Sequence, residues 1–191
     1  MRRAITILLL IAACAGTAHA RRVQARFLLD GTFGVAIPIA DDEFTREFLP
    51  SPKLGLHLGA ELWFTRHFGL APELALDGGP FFERGLTSVA EGNFRFQPGL
   101  RVLFGFGRGH AFFLRFLVGG EALVFGPGGT QGAGRINVGF AAQPGLGMQF
   151  RFSRRGVAGF TLDFPVGVHS FGTLTNVDAT FDIAGFIGLR V

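Results

Sequence analysis

Apolar residues alternate with glycine, polar or charged residues along most of the sequence, and this period of two is the strongest constraint on the fold. Between Phe94 and Phe106, every second residue is apolar or proline, and Arg95, Gln97, Gly99 and Arg101 stand in between. Successive side chains of a β-strand point to opposite faces of a sheet, whereas a helical face recurs every 3.6 residues. The pattern therefore predicts a strand with one apolar and one polar face.

Eight such segments follow one another, and turn residues separate them. They cover approximately residues 26–37, 54–65, 70–77, 94–106, 112–124, 136–152, 159–168 and 181–191. Short connections (66–67, 107–109 and 154–156) alternate with longer ones (38–53, 78–92, 126–135 and 170–179). Short periplasmic turns and longer external loops are typical of outer-membrane barrels, so we expect both termini on the periplasmic side.

The composition favours a membrane protein that crosses the bilayer with strands. Hydrophobic residues make up 48% of the chain and the mean hydropathy is +0.38. After the first 20 residues, however, no apolar run reaches the roughly 18 residues that a membrane helix needs. Because only helices and closed barrels span a bilayer, the sequence predicts an all-β fold, an eight-stranded antiparallel up-and-down transmembrane β-barrel.

The available space indicates which face of the strands points inward. The interior of an eight-stranded barrel is just wide enough for side chains to fill, so about five large apolar side chains per strand would overfill it. The opposite face is rich in glycine and carries both signs of charge, so we expect an interior charge network that plugs the lumen. Its predicted members are Arg26, Asp30, His57, Glu61, Glu73, Arg95, Arg101, Arg115, Glu121, Arg151, Asp163, Asp182 and Arg190.

The first 20 residues read as a cleaved secretory signal peptide, which leaves residues 21–191 as the outer-membrane β-barrel. Arg2 and Arg3 precede a short apolar stretch, and Ala18-His19-Ala20 is a cleavage site of small residues. An alternative is a lipoprotein signal with Cys14 as the lipidated residue. Cys14 is the only cysteine, so we expect no disulfide and no cysteine metal ligand in the mature chain.

Two stretches carry a resemblance to a known family. Residues 58–65 and 68–74 look like the second strand, tight turn and third strand of the small outer-membrane barrels of the OmpA-like and OmpX-like group. Residues 181–191 resemble a C-terminal assembly signal, although the chain ends in Val191 instead of Phe or Trp. The resemblance implies a location in the outer membrane of a diderm bacterium, with outer-membrane lipids and the assembly machinery as partners. These motifs are architectural and say little about activity.

Few residue combinations suggest a chemical activity. His169-Ser170 with Asp178 contains the residue types of a hydrolase, but adjacent side chains diverge on a strand. His57 and Glu61 share one face and lack a third metal ligand nearby in the sequence. We therefore predict no catalytic residue, no metal site and no cofactor. The net charge is only +4 and no basic stripe is interleaved with aromatics, so nucleic-acid binding is not expected.

The sequence thus favours a monomeric, non-enzymatic barrel with a structural or surface-interaction role through its external loops, and with no open general pore. Three alternatives remain open at this stage. They are a small-pore barrel, a lipid-active outer-membrane barrel, and a soluble secreted barrel that carries an apolar ligand.

Overall fold

The alternating segments form antiparallel β-strands that hydrogen-bond in a closed ring. The computed structural model describes residues 23–41, 48–83, 91–107, 109–124, 136–171 and 174–191. The predicted signal peptide and Cys14 lie outside these residues. No helix in the described ranges is long and apolar enough to cross a membrane. The strands are β1 (Gln24–Asp41), β2 (Phe48–Leu49), β3 (Ser51–Trp63), β4 (Phe68–Glu83), β5 (Glu91–Phe106), β6 (His110–Val124), β7 (Ile136–Arg151), β8 (Gly156–Asp163), β9 (Val166–Phe171) and β10 (Leu174–Arg190).

Eight strands close the barrel, because β8 and β9 act as one strand and β2 pairs only with the end of β4. Both β8 and β9 lie between β7 and β10, and the register with β7 is unchanged from Asp163↔Gly145 to Val166↔Ala142. The interruption falls at Pro165, which lacks an N–H to donate. Its carbonyl still accepts a hydrogen bond from the Thr180 N–H at 3.0 Å. β10 then pairs with β1 and closes the ring.

The strands are staggered as a closed barrel requires. Ala184 of β10 pairs with Gly34 of β1 on one side. On the other side, Ala184 starts a row of paired residues that runs through β8, β7, β6, β5 and β4. This row ends at Trp63 of β3, which pairs with Gln24 of β1. The row therefore returns to β1 after a shift of 34 − 24 = 10 residues. Such a stagger tilts the strands against the barrel axis and fixes the width of the interior.

Most strands are longer than the alternation predicted, so the predicted bounds of three long connections, 38–53, 78–92 and 170–179, were wrong, whereas β6 ends and β7 begins where predicted. β1 continues to Asp41 and β3 begins at Ser51, while β9 reaches Phe171 and β10 begins at Leu174. β4 and β7 each have 16 residues, which corresponds to about 50 Å along the strand. An apolar band is only about 25 Å tall, so the strand ends extend beyond it. Residues 42–47, 84–90, 125–135 and 172–173, which include parts of all four predicted long connections, lie outside the described residues.

The two faces of the sheet differ as the alternation predicted. Phenylalanine, leucine and valine cover the outside, and Phe27 and Val138 are 68% and 70% exposed. The inner face carries the buried charged and polar side chains. Two aromatic residues depart from this division, because Phe113 and Phe186 point inward and pack with Leu103 and Ala71 in a small apolar cluster. This cluster, which the sequence did not predict, occupies part of the lumen.

Candidate functional site

The predicted interior residues mostly lie in the lumen. One end of the barrel, called the loop end, carries the long connections. The other end, called the turn end, carries the short turns near residues 64–67, 107–109 and 152–155. Arg26 and Arg151 are only half-buried and lie at the turn end. The other predicted members are buried, namely Asp30, His57, Glu61, Glu73, Arg95, Arg101, Arg115, Glu121, Asp163, Asp182 and Arg190.

At mid-height, two buried arginines are each held by carboxylates. Arg101 and Arg115 are direct neighbours across β5 and β6. The Arg101 Nε lies 2.5 Å from a Glu73 carboxylate oxygen, and its guanidinium lies over the Phe113 ring at 5.1 Å. The Arg115 Nε donates to Asp163 at 2.8 Å. Each guanidinium is thus compensated by a facing acid, which a buried charge needs in order to be tolerated.

His57 connects the mid-height layer to Asp77, nearer the loop end, and both of its ring nitrogens contact carboxylates. Its Nδ1 lies 3.2 Å from Asp30 Oδ1, and its Nε2 lies 2.9 Å from Asp77 Oδ1. Each nitrogen has its own carboxylate, which is the pattern of a histidine that serves as a structural cross-link.

Nearer the loop end, Lys53 and Arg95 each bind buried carboxylates. The Lys53 Nζ donates to Asp182 Oδ2 at 2.7 Å and lies 3.6 Å from Asp77. The Arg95 Nε donates to Glu121 Oε1 at 2.7 Å. His169 lies beside them, and its Nε2 is 3.0 Å from Asp178 Oδ1 and 3.3 Å from Glu121 Oε2.

At the turn end, Glu61 is the centre of a third group. Its Oε1 accepts hydrogen bonds from Arg190 Nη2 and Gln149 Nε2, both at 3.0 Å, and its Oε2 accepts one from Trp63 Nε1 at 3.2 Å. Arg26, which pairs with Glu61 in the strand register, instead donates to the Gln24 side chain at 3.0 Å.

Charge is distributed unevenly along the barrel. Among the described side chains near the loop end, the carboxylates outnumber the cations: Asp77, Glu121, Asp178 and Asp182 stand against Lys53 and Arg95. The turn end shows the opposite imbalance. There, the buried or half-buried arginines Arg26, Arg151 and Arg190 stand against Glu61, and Arg66, Arg154 and Arg155 are exposed on the turns. The described part of the lumen is therefore acidic towards the loops and basic towards the turns.

Little open space remains between these groups at mid-height. The gap beside Asp30, Glu73 and Arg101 is too small for a water molecule. At the turn end, a cavity of about 620 Å³ opens between the short turns and is lined in part by Arg26, Trp63 and His110. The described residues thus show a vestibule at the turn end and a filled middle.

Glycines on the inner face make room for the carboxylates. A methyl group added to Gly55 would collide with the Asp77 carboxylate, and one added to Gly145 would collide with that of Asp163. Gly120 points outward, and a methyl group there would meet nothing within 4 Å. The abundance of glycine on the inner face is therefore a packing requirement of the charged interior.

Lys53, Asp77, His169 and Asp178 are buried or half-buried in this interior but were not predicted as members of the charge network. Lys53 follows Pro52 and falls in a predicted connection, although it continues the alternation of Gly55 and His57. Asp77 is predicted on the inner face but is not among the predicted members of the network. His169 and Asp178 were expected near an external loop, whereas β9 and β10 pair along them.

The residues considered for catalysis do not come together as a hydrolytic pair. His169 is buried in the lumen and Ser170 is exposed on the opposite face, because neighbouring strand residues point apart. His57 and Glu61 share the inner face but belong to separate groups, one bonded to aspartates and the other to Arg190.

No protein-family model and no curated protein matches the sequence. Solved structures match it by fold. The attachment invasion locus protein Ail of Yersinia pestis, solved with the heparin analogue sucrose octasulfate, has 14% identity and a TM-score of 0.53, and the match covers 88% of this chain and 99% of Ail. Neisserial surface protein A has 7% identity and a TM-score of 0.52, with 90% and 100% covered. The chain has the fold of the small outer-membrane β-barrels.

This fold is shared by proteins with different roles. The outer-membrane enzyme PagL matches with 14% identity and a TM-score of 0.50 over 82% of this chain and 97% of PagL. An attachment protein and an enzyme are therefore built on the same barrel, and function has to be argued from the side chains of this one.

Proposed function

We propose that the chain is an integral outer-membrane barrel with a closed lumen, which acts through the strand ends and connections at its loop end. The single observation that carries this proposal is the mid-barrel layer of paired arginines and carboxylates. Arg101 with Glu73 and Arg115 with Asp163 lie side by side in the lumen, and the gap beside Arg101 has no space for water.

Insertion into a bilayer is supported by the outer surface. Phe33, Leu54, Phe94 and Ile136 are each more than half exposed on the outside of the barrel. Monomeric soluble proteins rarely expose a continuous apolar surface of this extent. The soluble carrier considered from the sequence would moreover need an apolar cavity inside, whereas most buried residues here are polar or charged.

The loop end is proposed as the contact surface because the strands carry it beyond the apolar band. The first connection contains Asp41, Asp42, Glu43 and Glu47. Ail has been solved with a polysulfated sugar analogue, but an acidic connection repels such a polyanion. We therefore propose a neutral or cationic partner for this surface.

The test of the closed lumen is single-channel current from the purified barrel in planar bilayers. Wild-type protein should give no large, steady, long-lived openings, because the ion pairs at mid-height block the path. The matched pair of variants is Arg115→Ala inside and Phe116→Ala on the lipid face. Arg115→Ala should admit measurable current, since it removes a guanidinium from the filled layer, whereas Phe116→Ala should leave the current unchanged. Large stable openings from the wild type would overturn the closed-lumen proposal and favour a small pore.

A further inference from the structure

We propose that Glu121, His169 and Asp178 form a binding site for a divalent transition-metal ion at the loop end of the lumen. One ligand atom from each residue lies within 4.8 Å of the other two. Both the Glu121 and the His169 side chains are fully buried, while Asp178 is 18% exposed and gives the site an open side. This site is separate from the closed lumen proposed above and does not depend on it.

The distances suit ligands of one ion. The His169 Nε2 lies 3.0 Å from Asp178 Oδ1 and 3.3 Å from Glu121 Oε2. Ligands bound at about 2.0–2.2 Å from the same zinc ion lie roughly 3–3.5 Å from one another. Both nitrogen–oxygen distances thus already match those between two ligands of one ion.

The two oxygens are also available to the ion, because Arg95 lies nearer the opposite oxygen of each carboxylate. The Arg95 Nε donates to Glu121 Oε1 at 2.7 Å, and its Nη2 lies 3.9 Å from Asp178 Oδ2. Arg95 therefore orients the Glu121 carboxylate from behind, as neighbours of metal ligands commonly do, and lies beyond hydrogen-bond distance of Asp178.

His169 and His57 use their ring nitrogens differently. His57 uses its two nitrogens for two different aspartates. His169 instead presents one nitrogen, Nε2, to two carboxylates. The point that faces one ring nitrogen and two carboxylate oxygens is where a metal ion would bind.

Gly167 supplies the space in which the three groups converge. A methyl group built on Gly167 would collide with Asp178 Oδ1, Glu121 Oε2 and His169 Nε2, the same three atoms. The absence of a side chain at this position keeps a small space open between the ligands. A carboxylate–carboxylate–imidazole set favours ions such as Zn²⁺ or Mn²⁺, since Ca²⁺ and Mg²⁺ prefer oxygen ligands alone.

The acidic surroundings of the site would also favour a bound cation. Four carboxylates near the loop end, those of Asp77, Glu121, Asp178 and Asp182, face only Lys53 and Arg95 as permanent cations among the described side chains. Buried charge of one sign is costly unless it is paired. One divalent ion would balance this excess.

The experiment is a titration of the metal-stripped full-length mature barrel in detergent with Zn²⁺, in competition with a chromophoric chelator. We expect one Zn²⁺ per barrel. His169→Gln and Asp178→Asn should each weaken binding at least about tenfold, since even partners of direct ligands contribute that much. Ca²⁺ should not compete. In parallel, Co²⁺ should give a visible absorption spectrum that is lost in His169→Gln.

The controls distinguish this site from unspecific binding. His57→Gln removes another buried histidine and should leave the affinity for Zn²⁺ unchanged, as should Asp42→Asn in the acidic first connection. A heat-modifiability gel reports whether each variant is folded, and Asp178→Asn is the variant that disturbs the lumen least. Equal Zn²⁺ affinity in folded wild-type and Asp178→Asn protein, or no binding by the wild type, would overturn the proposal.

Discussion

At the residue scale, the interior depends on arginines that satisfy several partners at once. Arg101 illustrates this, because its guanidinium contacts the Glu73 and Asp30 carboxylates and also lies over the rings of Phe113 and Phe186. A planar guanidinium can stack on an aromatic face and bind carboxylates at its edge, which the ammonium group of lysine does not do equally well. This explains in physical terms why arginine dominates the cations of the lumen.

The first prediction concerns the loss of this one side chain. Arg101→Ala should lower the free energy of unfolding by about 3–5 kcal/mol, because it leaves buried carboxylates without a counter-charge. Urea unfolding of the barrel in lipid vesicles measures this change. Arg155→Ala is the matched control, since Arg155 is exposed at a turn, and its effect should stay within about 0.5 kcal/mol. Equal losses for the two variants would show that the interior pairing contributes nothing specific.

At the element scale, each strand presents a lipid-exposed face of large apolar side chains and an inner face of charges interleaved with glycine. β7 is an example. Phe140 is exposed outside, Gln143 and Gln149 are buried inside, and Gly145 lies between them against the Asp163 carboxylate. The strand therefore has a defined inner surface, although many of its inward positions carry small residues.

The second prediction uses two glycines on opposite faces. Gly145→Ala should lower the free energy of unfolding by about 1–3 kcal/mol, because the added methyl group would overpack the interior at Asp163. Position 120 faces outward into open space, so the added methyl group of Gly120→Ala meets no neighbour. This variant should be neutral, or more stable by up to about 1 kcal/mol, because alanine lowers the conformational entropy of the unfolded chain. Urea unfolding of both variants in the same vesicles checks the difference. A neutral Gly145→Ala would mean that the inner face has spare room.

Much of this element-scale picture could be predicted from the sequence, because alternation is a local property. It placed Arg101 inside and Phe116 outside, as the structure does. Partners across the lumen could not be predicted in the same way. Lys53 and Asp182 are 129 residues apart and meet only because closure of the barrel places β3 and β10 on either side of β1. Glu121 and His169, which are 48 residues apart, could not be predicted as partners either.

The strand ends were harder to predict for another reason. Phe171-Gly172-Thr173 has the composition of a loop, yet the residues on both sides pair as strands. Glycine, serine and threonine indicate a turn without showing how far the flanking strands continue. Asp178 and His169 were therefore expected near a loop, and their convergence inside the lumen was missed.

At the scale of the whole molecule, the alternation of short turns and long connections gives the barrel a direction in the membrane. The short turns near residues 66 and 154 lie at one end, and the connections after β1 and β4 lie at the other. The proposed surface role requires that the long connections face outward.

The third prediction follows from this direction. Trypsin added to intact cells should cleave the protein at Arg46 or Arg84, which lie in the long connections of the sequence. Arg154 and Arg155 should be protected until the outer membrane is permeabilised. Mass spectrometry of the released fragments identifies the sites. Cleavage confined to Arg154 and Arg155 in intact cells would mean that the barrel is inserted the other way round.

The uneven charge along the lumen has a consequence for neighbouring copies. An excess of carboxylates towards the loops and of arginines towards the turns gives each barrel a permanent dipole along its axis. Barrels inserted by the same route stand side by side with parallel dipoles, and their like ends repel one another. We therefore expect a polarised core of this kind to disfavour lateral clustering of the barrels.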